Sequence, residues 1–253
     1  MTTPYGEGMT HLRLTVLAVR VRSMVTSQNT PFATTVAVSP ESFAGRLRMA
    51  SDEQWEASVR HRFVEELFTG SVSDEVLTRY LVQDYQFFDA FLAMLGACVA
   101  GTDSKTARLR FSQQLGMLAA DEDGYFQQSF RTLGVDEEEI TTPDLTRPTA
   151  QFVEQMWEVT ESRDYADLLV VLVIVEWLYL DWGERDLPLP QEPKHRGWIE
   201  LHRGEDFHAW TQFLIDELNR VAPSLESDHG ASLAERWHRI VGIEEAFFDA
   251  AYT

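Results

Sequence analysis

Residues 164–182 read DYADLLVVLVIVEWLYLDW, a nearly unbroken apolar run in a chain of 253 residues. Between Leu168 and Leu180 the only charged residue is Glu176. The run is too short to cross a bilayer, which needs about 20 consecutive apolar residues. A helix that is apolar on all sides is buried in a protein core. The stretch therefore predicts the central helix of a helical bundle.

The segments on both sides of this run also have helical spacing. Upstream, apolar residues recur every three or four positions from Ser42 onward. Ser73 and Gly134 are typical of a helix start and a helix end, respectively. Two amphipathic segments follow downstream, and no convincing strand pattern occurs after Ser42. We therefore predict an all-α bundle of seven to eight helices, with residues 40–253 as a single domain.

Residues 1–39 differ in composition from the rest of the chain. Their apolar run LTVLAV is short and is followed by Arg20 and Arg22, which a signal peptide would not have. The stretch SQNTPFATTVAVSP is typical of an extended or flexible linker. We interpret residues 1–39 as a disordered N-terminal extension or as the product of a misassigned start codon.

Charge and cysteine content exclude several classes of protein. The chain has 41 acidic and 21 basic residues, a net charge of −20, which repels the phosphates of nucleic acids. We attribute this charge to a solvated acidic surface suited to a salty cytoplasm. The single cysteine, Cys98, lies in an apolar stretch and cannot form an internal disulfide. These features predict a cytoplasmic protein that binds neither nucleic acid nor a membrane.

A few acidic residues lie on apolar helix faces. Residues three and four positions away share a face of a helix, so each acid can be tested by its neighbours at those positions. Glu245 and Asp89 have polar neighbours on their faces, as most acids do. The acids whose face is entirely apolar or aromatic are Asp84, Glu176 and Glu244, and Glu122 has a similar pattern on smaller neighbours.

A buried carboxylate destabilises a fold unless it is paired or neutralised. Such a residue therefore belongs either to a structural hydrogen-bond network or to a functional site. Because the acids lie on different helices, and bundles build their sites from facing helices, we predict one small-molecule pocket between them.

One possible use of such a pocket is a metal site. Di-metal bundles need Glu-x-x-His pairs that point inward. The chain has two such spacings, Glu205 with His208 and Glu235 with His238, but both histidines lie one residue away from the apolar stripe. We expect them in solvent, and we expect His61 to be a packing histidine. We therefore predict no metal and no cofactor.

The other possible use is acid–base chemistry on a small nitrogen heterocycle. A carboxyl group can form two hydrogen bonds with an aminopyrimidine, because the ring nitrogen and the exocyclic amine make a bidentate edge. Desolvation raises the pKa of a carboxyl group toward the range that a general acid needs at neutral pH. Aromatic residues next to these acids could also enclose a flat ring.

At these residues the chain resembles the TenA family, also called thiaminase II. The matching stretches are HRFVEELFTGSVSDEVLTRYLVQDYQFF, residues 61–88, and EEAFFDAAY, residues 244–252. The resemblance implies a haem-oxygenase-like helical bundle that uses neither haem nor metal. It also implies that Asp84 binds the pyrimidine and that Glu244 is a catalytic acid. Family members tend to be homotetramers, so we expect a homo-oligomer.

The stretch VEWLYLDW, residues 175–182, indicates the branch of the family. One branch has a nucleophilic cysteine four residues before a tyrosine. Tyr179 matches that tyrosine, but Val175 takes the cysteine position and Glu176 follows it. The chain is therefore similar to the branch that uses a glutamate. This implies hydrolysis of 4-amino-5-aminomethyl-2-methylpyrimidine, or its N-formyl form, to the hydroxymethyl pyrimidine of thiamin salvage.

Three positions depart from the family pattern. Phe87 and Phe152 stand where pocket tyrosines are usual, and His202 in WIELHRG replaces a third. We expect Phe87 and Phe152 to stack on the ligand, and Tyr179 and His202 to orient it or the carboxylates. Glu176 would activate water or stabilise a cationic intermediate. Two alternatives stay open: a haem-oxygenase-like metal-dependent oxidase, and a non-catalytic pyrimidine-binding or regulatory module.

Overall fold

A computed structural model describes residues 32–118 and 123–253. These residues form thirteen α-helices and one 3-10 turn, with no strand among them, which confirms the all-α prediction. The first helices are α1 (Phe43–Ala50), α2 (Asp52–Val59), α3 (Arg62–Thr69), α4 (Asp74–Tyr85), α5 (Phe88–Gly101), α6 (Lys105–Met117) and α7 (Asp123–Leu133). The others are α8 (Glu137–Thr141), α9 (Arg147–Ser162), α10 (Tyr165–Gly183), α11 (Pro193–Leu201), α12 (Glu205–Val221) and α13 (Ser227–Ala250).

The predicted number of helices, seven to eight, was too low because four of the predicted segments each contain more than one helix and the short helix α8 forms in a predicted loop. The segment after Ser42 forms α1, α2 and α3, with Ser51 leaving helical geometry at φ −111°. Helices α4 and α5 are separated at Gln86 and Phe87. The backbone N–H groups of Gln86 and Phe87 donate to the carbonyl oxygens three residues earlier, at 3.2 and 3.0 Å. This tighter turn interrupts the α-helical pattern.

Helix α10 is the central helix, as its apolar sequence predicts. Residues 168–174 are all buried, and the helix packs against α2, α5, α9, α12 and α13. Its first turn is capped by Asp164, whose carboxylate accepts from two backbone N–H groups. No helix in residues 32–118 and 123–253 combines the length and apolar character needed to cross a membrane.

The C-terminal end of α10 lies very close to the end of α11. A Cβ atom at Gly183 would be 2.1 Å from the carbonyl oxygen of His202. No side chain larger than hydrogen fits there, so Gly183 lets the two backbones approach each other. This close approach brings the His202 ring within 4.8 Å of the Tyr179 ring, measured between centroids.

The packed part of the chain begins before the predicted boundary at residue 40. Residues 1–31 lie outside the described residues, but residues 32–38 pack on the bundle. Thr34 accepts a hydrogen bond from Trp177 Nε1 and donates one to Asp181 Oδ1, both at 2.8 Å. The buried apolar side chains of this segment are Phe32, Val36 and Val38. Part of the segment that was predicted as an extension therefore packs on α10.

Candidate active site

A cavity of about 300 Å³ lies inside the bundle, between α4, α5, α9, α10, α11, α12 and α13. It is lined by the seven residues that were predicted to form a site: Asp84, Phe87, Phe152, Glu176, Tyr179, His202 and Glu244. Glu122, the fourth acid found on an apolar face, falls outside the described residues. The helix-face pattern and the resemblance thus selected residues that are far apart in sequence and share one cavity.

Glu244, on α13, is the most isolated carboxyl group of the cavity. The residue is 1% exposed, and its Oε1 atom is buried with no hydrogen-bond partner in the described residues. This burial raises the pKa of Glu244 to about 8. Most molecules therefore carry a protonated Glu244 at neutral pH, which is the state that a general acid needs.

Glu176, on α10, has a different environment. The indole Nε1–H of Trp210 donates a hydrogen bond to Glu176 Oε1 at 2.7 Å, and both groups are buried. The guanidinium of Arg110 lies 4.9 Å from the centroid of the Trp210 ring. A hydrogen bond to a carboxylate and a nearby cation both favour its charged form. The two glutamates of the cavity therefore differ in their contacts: Glu176 accepts from a buried indole N–H, whereas Glu244 Oε1 has no hydrogen-bond partner in the described residues.

Tyr179 takes part in a buried chain of hydrogen bonds. Its Oη atom lies 2.8 Å from Tyr80 Oη, which accepts from Trp198 Nε1 at 3.3 Å. Burial, and the negative charges of Asp84 and Glu244, raise the pKa values of both phenols well above their usual range. Both tyrosines therefore stay protonated. The half-buried Asp84 is close enough to influence both of them electrostatically.

His202 presents a hydrogen-bond acceptor. Its Nδ1 atom lies 2.8 Å from the carbonyl oxygen of Trp198, and because a carbonyl only accepts, we assign the ring proton to Nδ1. Burial lowers the pKa of His202 to about 4, so the ring is neutral at pH 7. In this tautomer Nε2 is an acceptor. Within the described residues, Nε2 has no hydrogen-bond partner.

Aromatic rings complete the walls of the cavity. Phe87 and Phe152 meet edge to face with centroids 4.9 Å apart, and Phe87 is tilted against Phe247 at 5.0 Å. Such rings offer both faces and edges to a flat ligand. The cavity therefore combines an aromatic enclosure with three carboxyl groups and a neutral imidazole.

The structure also brings in residues that the sequence patterns did not select. Trp198, Trp210 and Gln114 line the cavity, and Tyr80 lies behind Tyr179. The sequence places Trp210 in an apolar stripe of α12 and so predicts only a packing role. Helical spacing shows which face a tryptophan occupies, but it does not show where the indole N–H points.

The two Glu-x-x-His pairs do not contribute to this cavity. Glu205, Glu235 and His238 are exposed, and none of the four residues lines the cavity. The expectation that both histidines lie in solvent holds for His238, whereas His208 is only partly exposed. Its side chain is half-buried, and Nε2 lies 3.1 Å from the carbonyl oxygen of Thr35. The N-terminal segment, which the helical pattern of α12 cannot reveal, covers it.

One group of possible metal ligands lies elsewhere in the described residues. Potential ligand atoms of Asp164, Asp167 and His229 lie within 4.8 Å of one another. Arg236 already contacts this group, because its Nε atom lies 3.0 Å from Asp167 Oδ1. His61 caps α3 by accepting from the backbone N–H of Phe63, and its ring stacks on Phe248 with centroids 5.4 Å apart, which is the packing role expected for it.

A cavity with a few converging polar groups, inside an all-α bundle, is typical of a helical protein with a small-molecule site. The TENA/THI-4/PQQC family model matches residues 49–253, which is most of the chain. The chain belongs to this family, so the predicted family is confirmed.

Two relatives are named aminopyrimidine aminohydrolase. The protein from Halalkalibacterium halodurans is 25% identical over 215 residues, which cover 83% of this chain and 96% of the relative. The protein from Bacillus subtilis is also 25% identical, over 83% of this chain and 89% of its own length. Among solved structures, a TenA homologue from Pyrococcus furiosus has a TM-score of 0.75 at 17% identity, over 83% of this chain and 100% of that one. The structural likeness supports the haem-oxygenase-like bundle.

Proposed function

We propose that this protein is an aminopyrimidine aminohydrolase of thiamin salvage. It would hydrolyse 4-amino-5-aminomethyl-2-methylpyrimidine, or its N-formyl form, and release the hydroxymethyl pyrimidine. The observation that carries the proposal is the set of hydrogen-bond acceptors around one aromatic cavity: Asp84, Glu176, Glu244 and the Nε2 atom of His202. A ligand with several N–H donors on a flat ring complements this set. The names of the relatives support the same substrate class.

Asp84 would bind the amidine-like edge of the pyrimidine. A carboxylate can accept in parallel from the exocyclic amine and the protonated ring nitrogen, which fixes the ring in its plane. Phe87 and Phe152 would pack against the ring. The Tyr179 hydroxyl and the His202 ring would then position the substituent that reacts.

The reaction replaces a C–N bond by a C–O bond. Glu244 would donate its proton to the amine as the bond between the amine nitrogen and the methylene carbon breaks, so that ammonia leaves. Water supplies the oxygen that bonds to the methylene carbon. Glu176 would either take the proton of this water or stabilise a cationic intermediate before water adds. The proton that the added water loses then returns to Glu244, through Glu176 in the first route or through solvent in the second, and restores the starting state.

We also propose that the site is of the glutamate type. Val175 lines the cavity at the position that matches the cysteine of the other branch. Cys98 is fully buried on α5 and is not among the residues that line the cavity, and burial raises the pKa of its thiol. A thiolate nucleophile is therefore not part of this proposal.

The test is ammonia release from the aminomethyl pyrimidine by the wild type and the Glu176→Gln variant. We expect release by the wild type and a loss of about 100-fold or more in the variant, the scale of a general-base contribution. Glu161→Gln is the matched control, because Glu161 is an exposed glutamate at the end of α9. Binding without ammonia release would favour the non-catalytic module, and activity that depends on bound iron or another metal would favour the oxidase.

The assembly state of the protein is a separate proposal. The resemblance implies a homotetramer, and the predicted molecular mass of one chain is 29.0 kDa. Light scattering after size-exclusion chromatography should then give about four times this mass. A mass near that of one chain would contradict the tetramer without affecting the proposed reaction.

A further inference from the structure

The hydrogen bond between Trp210 and Glu176 joins two helices at the cavity. Trp210 is 1% exposed on α12, and α12 packs directly against α10, which carries Glu176. An indole N–H is a donor only, so the polarity of this 2.7 Å bond is certain. The bond fixes one oxygen of the Glu176 carboxylate, and thereby the orientation of the whole group.

The indole ring is itself held by a cation and by other aromatic rings. The Arg110 guanidinium, from α6, lies 4.9 Å from its centroid. Phe213 stacks at 5.6 Å and Phe111 meets the indole edge to face at 5.6 Å. Burial lowers the pKa of Arg110, while the negative charges of Asp206 and Glu176 act in the opposite direction. Arg110 is therefore close enough to Glu176 to stabilise its charge.

The neighbouring helices differ in the charges that they present to the same cavity. Helix α4 contributes Asp84, α13 contributes Glu244, and α12 contributes Asp206, all acidic. The segment after α11 contributes the neutral His202 and the cationic Arg203, and α11 itself contributes the acidic Glu200. Without compensation, this excess of acidic groups would favour a protonated Glu176. Trp210 and Arg110 act against that tendency.

We propose that Trp210 and Arg110 are positioning residues that keep Glu176 charged and correctly oriented in the cavity. This inference rests on the proposed function in so far as Glu176 acts on water or on a cation there. Glu244 has no comparable donor or cation in the described residues. Trp210 and Arg110 therefore give the two glutamates different roles, with Glu176 as the base and Glu244 as the acid.

Trp237 provides a matched control for Trp210. It is also fully buried and its Nε1–H also donates, but to the hydroxyl of Ser51 at 2.9 Å. Trp237 is not among the residues that line the cavity. The Trp→Phe substitution at either position removes an indole N–H and leaves an aromatic ring, so a merely structural effect should be similar in both variants.

The kinetic test compares the wild type with Trp210→Phe, Trp237→Phe and Arg110→Gln. In Trp210→Phe we expect kcat to fall about 10- to 100-fold, the range spanned by a hydrogen bond to a charged group, with a smaller change in KM. The acid limb of the kcat profile should move to higher pH, because the charged carboxylate has lost its donor. Arg110→Gln should shift it less in the same direction, and Trp237→Phe should not shift it.

A second measurement does not depend on activity. The indole N–H resonance of Trp210, assigned by its loss in Trp210→Phe, is followed by NMR in the wild type and in Glu176→Gln. We expect a large upfield change in Glu176→Gln, because the acceptor is no longer charged. An unchanged resonance, or equal pH profiles in Trp210→Phe and Trp237→Phe, would overturn this inference while leaving the proposed function intact. Absence of ammonia release by the wild type would instead contradict the proposed function.

Discussion

Buried carboxyl groups on two sides of helix α10 have very different partners. Behind the helix, Asp181 accepts hydrogen bonds from Thr34 and Trp55 and lies 3.9 Å from Arg48. In the cavity in front of the helix, Glu244 has a buried oxygen with no partner in the described residues. A structural carboxylate is thus surrounded by donors from the chain itself. A carboxyl group that faces a cavity keeps acceptor capacity that a ligand can use.

Burial dominates the proton affinity of both groups. Despite its partners, Asp181 has its pKa raised to about 7 by desolvation, and Glu244 has its pKa raised to about 8 for the same reason. The partners of Asp181 therefore join α1, α2 and the N-terminal segment to α10. Substitutions around Asp181 are expected to change stability, whereas substitution of Glu244 is expected to change activity.

The largest effect is expected from Arg48→Met. Arg48 is fully buried, contacts Asp52 and Glu56, and lies near Asp181. Removal of the cation leaves Asp181 without its nearby charge, which should lower the free energy of unfolding by about 3–5 kcal/mol. Chemical denaturation measures this loss. Arg60→Met is the control, since exposed Arg60 also pairs with Glu56, and an equal loss there would contradict the role assigned to the buried network.

The next effect is expected from Glu244→Gln. The variant keeps the shape of the side chain but cannot protonate the departing amine, so kcat should fall about 100-fold or more. Steady-state ammonia release measures this change. Glu245→Gln, at the adjacent residue on α13, should keep activity near that of the wild type. Full activity in Glu244→Gln would remove Glu244 from the mechanism.

The pH dependence of stability should separate the two groups further. A carboxyl group whose pKa is higher in the folded state destabilises that state as pH rises from its unfolded to its folded pKa. For Asp181 this window runs from 3.8 to about 7, and for Glu244 it runs from 4.5 to about 8. Within each window, Asp181→Asn or Glu244→Gln should flatten the stability curve by up to about 1.4 kcal/mol per pH unit. Denaturation midpoints between pH 4 and pH 9 test this, and slopes equal to those of the wild type would contradict it.

The smallest effect is expected from Thr34→Val. The Thr34 hydroxyl bridges Trp177 and Asp181, so its loss should lower the free energy of unfolding by about 1–2 kcal/mol. Turnover per folded molecule should not change, because Thr34 lies behind α10. Thr35→Val, at an exposed neighbouring residue, should be close to neutral. A loss of turnover in Thr34→Val would show that the two sides of α10 are coupled.

The part of the site that could be predicted from sequence is the part that depends on local spacing. An apolar run identified the central helix, and same-face neighbours identified Asp84, Glu176 and Glu244. Both patterns involve residues within four positions of each other, where helical geometry alone determines which side chains are adjacent. The resemblance then added Phe87, Phe152 and His202 to the same cavity.

The remaining features depend on contacts between residues far apart in the chain. Asp181 has Trp177 and Glu184 on its face, a mixed pattern, and Thr34 bonds to it from 147 positions away. The role of Trp210 depends on the direction of one N–H bond, which no apolar pattern encodes. The divisions between α1, α2 and α3 depend on turns such as Ser51, whose hydroxyl accepts from Trp237 on α13. Tertiary packing therefore determines the contacts of Asp181, the direction of the Trp210 N–H bond and the divisions between α1, α2 and α3.

The central claim is that a glutamate kept protonated by burial supplies the proton for amine release. It is tested most directly by following ammonia release from the aminomethyl pyrimidine by the wild type from about pH 6 to about pH 9.5, at substrate concentrations well below KM. Because the pKa of Glu244 in the free protein is raised to about 8, kcat/KM should fall as pH rises through that value. A kcat/KM that stays constant or increases up to pH 9.5 would contradict the account.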